Sequence, residues 1–106
     1  MAQAATTFPN IGPEETLWRN MSFAPGLASD GSETITGTPT VTITVLSGTD
    51  ATPQSRLVSG PLVVGPLVSV LLGTMIASTN YEIMIIVHTS KSQILSLSTQ
   101  QQCLAD

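Results

Sequence analysis

At 106 residues the chain has room for one small domain and no second independent core. Charged residues make up 9% of it against 42% hydrophobic, a balance too apolar for a disordered chain, which needs low hydrophobicity and high net charge to stay unfolded. With a net charge of -4 and only Arg19, Arg56 and Lys91 as cations, scattered along the sequence, it lacks the clustered Lys and Arg that neutralise nucleic-acid phosphates.

The first 18 residues carry no basic stretch and no apolar core, so no secretory signal is expected. Residues 1–14 hold Phe8, Pro9, Ile11, Gly12 and Pro13 without periodicity and predict an extended N-terminal arm. Phe8 and Ile11 are its candidate anchors on a partner. From residue 15 to 23, Leu17, Arg19, Met21 and Phe23 share one parity and Trp18, Asn20 and Ser22 the other, which predicts a first strand ending at Ala24-Pro25-Gly26.

From Glu33 to Leu46 the alternation is plainest: Ile35, Val41, Ile43 and Val45 occupy odd positions, and Thr34, Thr36, Thr38, Thr40, Thr42 and Thr44 even ones. Period two puts one face in a core and leaves a comb of hydroxyls on the other. Gly37 and Pro39 predict a break or bulge near Thr38, because proline cannot donate to a ladder. Ser47 to Pro53 is a turn cluster, followed by a short strand near Arg56 to Val58 and strands over 62–64 and 67–72.

The stretch Val58 to Asn80 is free of charge, but Gly60, Pro61, Gly65, Pro66, Ser69, Gly73 and Thr74 interrupt it too often for a membrane helix, so buried strands are expected and no membrane partner. Tyr81 to Val87 is apolar on both parities, as suits a central strand, and Gln93 to Ser98 forms the last. Residues 99–106, polar apart from Cys103, Leu104 and Ala105, are expected to be a loose tail. About seven short strands with turn signals between them, and no helical period, predict an all-β fold: an antiparallel β-sandwich over residues 15–98. Its packing set is Ile35, Val41, Ile43, Val45, Val68, Val70, Tyr81, Ile83, Ile85 and Val87.

Candidate chemistry is sparse. His88 is the one histidine, and without a second His or a Cys partner at ligand spacing it predicts no metal site. Asp30-Gly31-Ser32 and Gly48-Thr49-Asp50 carry too few fixed oxygens for calcium and read as turns. No nucleophile elbow, phosphate loop or dinucleotide fingerprint is present. No enzyme activity and no cofactor are expected, and the single Cys103 allows no intrachain disulfide. So little charge on so small a chain points to an assembly, since soluble monomers keep more of their surface charged. Trp18 joins Phe8 and Ile11 as a candidate partner contact.

The order Glu15-Thr16-Leu17-Trp18, Met21-Ser22-Phe23, Gly31-Ser32-Glu33-Thr34-Ile35, Gly48-Thr49-Asp50-Ala51-Thr52-Pro53, Thr79-Asn80-Tyr81-Glu82-Ile83 and Val87-His88-Thr89-Ser90 resembles a group of small tailed-bacteriophage proteins. The likeness spans residues 14–98. It implies an immunoglobulin-like sandwich and a virion structural role, as a head decoration, head-tail (neck) or tail accessory component. Its partners would be capsid, portal or tail subunits and copies of itself. The resemblance brings no catalytic residue with it. Residues 59–77, more apolar and Pro-rich, and Lys91-Ser92, at a turn where glycine is commoner, depart from the pattern. The competing class is a stand-alone surface binding or adhesion module, which should present aromatics at one loop end.

Overall fold

The computed structural model describes residues 2–4, 8, 10–27 and 32–104; Pro9, Asp30, Gly31 and the final residues Ala105 and Asp106 lie outside the described residues. In chain order the strands are β1 (Ala2–Ala4), β2 (Leu17–Ser22), β3 (Ile35–Ser47), β4 (Leu57–Val64), β5 (Leu67–Leu72), β6 (Asn80–Thr89) and β7 (Ile94–Gln102). Short 3-10 turns at Ala24–Gly26 and Pro53–Arg56 are the only helical pieces among the described residues. Six strands form two antiparallel three-stranded sheets, β3-β6-β7 and β2-β5-β4, and the three-residue β1 runs parallel along the outer edge of β7.

This is the all-β sandwich that the alternation predicts, with six strands in its sheets where about seven were expected. The irregularity expected near Thr38 is present as a register shift between Thr36 and Thr40, taken up at Gly37 with φ 69°, and β3 runs through it as one strand. One join accounts for the lower count. The pieces expected near Arg56 to Val58 and over 62–64 are likewise one strand, β4, bent at Gly60 and Pro61. Gly60 has φ 99°, and a Cβ there would stand 2.9 Å from the Ser69 carbonyl oxygen, so only glycine allows the close approach to β5.

The strand order matches an immunoglobulin domain: with β2 as strand B, β2-β5-β4 is the B-E-D sheet and β3-β6-β7 the C-F-G sheet. The connections β2–β3, β3–β4 and β5–β6 cross between sheets, and β4–β5 and β6–β7 are hairpins. Tyr81, at the start of β6, accepts a hydrogen bond on its hydroxyl from the Ile76 backbone N–H at 3.1 Å. This is the corner that a tyrosine makes before strand F in such domains.

Between the sheets, Val41, Ile43, Val68, Val70, Tyr81, Ile83, Ile85 and Val87 are buried as period two requires, with Ile35 and Val45 half-buried against them. The threonines of β3 face outward and are exposed. Strand β6 is central within its sheet, flanked by β3 and β7. Its outer residues Met84 and Ile86 are half-buried among hydroxyl-bearing neighbours, Thr42 and Ser98 beside Met84, Thr40 and Ser96 beside Ile86.

The two chain ends depart from expectation. The tail does not come loose at residue 99: β7 continues to Gln102, and Gln101 and Cys103 are fully buried. The stretch read as a free arm lies along it, with the Phe8 N–H donating to the Gln100 carbonyl at 3.0 Å and the Ile11 N–H to the Gln102 carbonyl at 3.1 Å. The Leu104 N–H returns a bond to the Ile11 carbonyl at 2.8 Å. Backbone pairing needs no side-chain alternation, which is why periodicity gave no sign of it.

Truncating Ile85 to Ala should cost about 2 to 5 kcal/mol in denaturant unfolding, with its neighbours too tightly packed to close the cavity. Deleting residues 2–11 should lower stability by at least about 3 kcal/mol, because it strips buried Phe8 and Ile11 from the core. An unchanged melting temperature in the deletion would place those residues outside the fold.

Candidate functional site

Among the described residues no three His, Cys, Asp or Glu side chains are grouped to hold a metal ion. His88 is exposed on the outer face of β6, paired across to Thr36 and Ile94. Cys103 has no exposure, so a bridge to another chain would require the end of the sandwich to open. No helix among the described residues is long and apolar enough to cross a membrane.

Of the three residues singled out as partner contacts, the structure places Phe8 and Ile11 in the chain's own core. Their side chains are spent there and present little to a neighbour. Trp18 remains at the surface, 46% exposed, on the outer face of β2. Its neighbours follow from register. Trp18 stands opposite Leu71, Asn20 opposite Ser69 and Ser22 opposite Leu67, and on the far side of β5 these meet Ser59, Leu62 and Val64 of β4. Directly opposed residues share a face, so Trp18, Leu62, Val64, Leu67 and the half-buried Leu71 together form an apolar surface over the β2-β5-β4 sheet.

The expectation of buried strands over 62–64 therefore fails for β4, where Leu62 is 52% and Val64 68% exposed. An edge strand has a neighbour on one side only, and among the described residues no layer lies over its outer face. Proline is confined to sheet edges and bulges, so Pro61 and Pro66 were the available signal that this run borders solvent. The face carries no charge from Leu57 to Asn80. Its central polar pair is satisfied internally, the Ser69 hydroxyl donating to the Asn20 side-chain oxygen.

Charge gathers instead at the end of the sandwich where β6 begins. The Asp50 carboxylate meets the Arg56 Nε at 3.2 Å and accepts the Tyr81 hydroxyl at 2.8 Å and the Thr52 N–H at 2.9 Å. Arg56 also donates to the Thr74 carbonyl and, at 3.1 Å, to the Thr52 hydroxyl. Burial alone would raise the Asp50 pKa, but the Thr52 N–H, the Tyr81 hydroxyl and the Arg56 guanidinium outweigh it and hold the carboxyl below its ordinary value. Burial, reinforced by the Asp50 carboxylate, pushes the Tyr81 hydroxyl up to about 12, against the opposing pull of the Ile76 N–H and Arg56. The network ties the 48–56 connection to β6 and is structural in its geometry. At the other end, buried Glu33 accepts from the Thr89 hydroxyl and the Gln93 side-chain amide, tying the start of β3 to the β6–β7 turn.

No family model, curated protein or solved structure matches the chain.

A tyrosine whose folded pKa is raised contributes stability below its unfolded value and loses it as pH rises toward the folded one. Stability should therefore fall as pH climbs from 10.0 to about 12. Tyr81→Phe should flatten that decline while removing about 1 kcal/mol or more at neutral pH through the lost hydrogen bonds. Because Tyr81 is the only tyrosine, absorbance titration of the folded protein reads it directly. A midpoint near 10.0 would show that the hydroxyl is not held as described.

Proposed function

We propose that the chain is a non-enzymatic structural subunit of a bacteriophage particle, repeated in the virion as a head decoration, neck or tail accessory component. The observation that carries this reading is the uncharged apolar face of the β2-β5-β4 sheet, whose large side chains stand in solvent. Contiguous exposed apolar surface on a soluble protein marks an interaction site. The resemblance of residues 14–98 to small tailed-phage proteins supplies the setting, with capsid, portal or tail subunits and further copies of the chain as partners.

The alternative, a stand-alone adhesion module, calls for aromatics gathered at a loop end. Trp18 instead lies on a strand, opposite Leu71 on β5, in an arrangement suited to laying one sheet against another protein. Contacts made through this face are apolar and should survive high salt, since little in them depends on ion pairs.

The test is incorporation. Leu62→Asp and Val64→Asp sit on the exposed edge and should change folding stability by no more than about 0.5 kcal/mol, yet abolish recovery of the protein in purified particles of the phage that encodes it. Recovery at wild-type levels would remove this face from the assembly. A capsid, portal or tail gene beside this one would independently support the setting.

A further inference from the structure

Sheet edges are where one copy of a β-protein joins another, and proteins shield them. Here β7 is shielded by β1 and by the backbone bonds from Phe8 and Ile11. Strand β4 is interrupted by Pro61 and two register shifts. Strand β3 also holds a proline, Pro39, and two register shifts, but from Thr40 to Val45 it pairs with β6 without interruption, it has no charged side chain from Ile35 to Ser47, and among the described residues β6 is its one strand partner.

At its centre the open side is met by the side chain of Gln54. Gln54, in the 3-10 turn Pro53–Arg56, accepts the Ile43 N–H on Oε1 at 3.0 Å and donates from Nε2 to the Val41 carbonyl at 2.8 Å. A primary amide has the donor and acceptor of a peptide group, so Gln54 fills the place that one residue of an added strand would take. We infer that β3 is a latent pairing edge for a second copy of this chain, and that Gln54 is the plug that keeps it closed.

The register argues for the second copy as occupant. Two β3 strands laid antiparallel about a two-fold axis at Thr42 bring Val41 of each opposite Ile43 of the other. Each Ile43 N–H then meets the partner copy's Val41 carbonyl, the same two groups that Gln54 holds in one chain. On the outer face Thr40 falls opposite Thr44, and Thr42 opposite itself. Threonine pairs of this kind stabilise adjacent strands. Pro39, of the same parity as Val41, falls opposite Val45 of the other copy and offers its carbonyl no N–H, so the shared ladder is confined to the Val41 and Ile43 pairs at its centre. No like charges meet along this edge, although each copy carries a net charge of -4.

Gln54→Ala removes the plug, and Gln54→Ser provides a second, milder variant with a side chain too short to reach both groups. Each is compared with the wild type by sedimentation velocity and by amide hydrogen exchange across a range of protein concentrations. The expected result is self-association at least about tenfold tighter than wild type, with the Ile43 amide unprotected in dilute variant and protected again as concentration rises. Adding Thr42→Lys to Gln54→Ala sets two ammonium groups against each other on the axis and should return the protein to its wild-type state. The inference is overturned if both variants sediment as wild type, if they associate without concentration-dependent protection at Ile43, or if Thr42→Lys leaves the association intact.

Discussion

Everything else in the molecule hangs on the packing of β6 against the opposite sheet. Its inward residues Tyr81, Ile83, Ile85 and Val87 are fully buried, and they meet Val68, Val70 and Leu72 of β5, buried to the same degree. With 4% aromatic residues the interior is filled by branched aliphatic side chains, which stack on a pleated surface with little rotamer entropy to lose. A layer of that kind is thin, and it has open sides. The chain closes one of them with residues from both ends: Phe8, Ile11, Leu97 and Cys103 all belong to the one core cluster.

Closing that side brings polar groups inside. Gln101 is fully buried on β7, and Arg19 reaches across from β2 to donate to its side-chain oxygen at 3.0 Å. Arg19 shares the inward parity of Leu17 and Met21, so its stem packs with the core while its guanidinium spans the two sheets near the rim. A bond of this sort between the sheets orients one on the other, because the donor and acceptor meet in one alignment only.

How much of this was legible beforehand follows from what generates each feature. The strands with two distinct faces, β3 and the inward half of β6, announced themselves by alternation, since a side chain's burial there depends on its own position in the chain. The arm did not, because Phe8 and Ile11 are buried through backbone pairing with β7, some ninety residues away in sequence. The end of β7 was hidden by its composition: Gln101 reads as solvent-facing until Arg19 is known to lie opposite. Exposure of Leu62 and Val64 depends on β4 being an edge, which is a property of the sheet order and not of the apolar run itself. Trp18 was singled out as a candidate contact, but it was also expected to be partly buried, and its apolar companions come from two strands whose pairing no local pattern specifies.

The parallel course of β1 and β7 has a mechanical meaning. Because Ala2–Ala4 and Ile11 run alongside Ser96 to Ser98 and Cys103 in the same direction, the two ends of the domain lead toward opposite poles. Tension applied between them pulls one strand lengthwise past the other, so the bonds from Phe8 to Gln100, from Ile11 to Gln102 and from Leu104 to Ile11 are loaded together. An antiparallel hairpin pulled from its open end would instead yield one bond after another, like a zip. Shear of this kind spreads a force over every bond at once, and buried Ile11 and Cys103 must leave the core before the strands can slide. The clasp that closes the side of the core is therefore also the part of the domain best placed to bear load along its length.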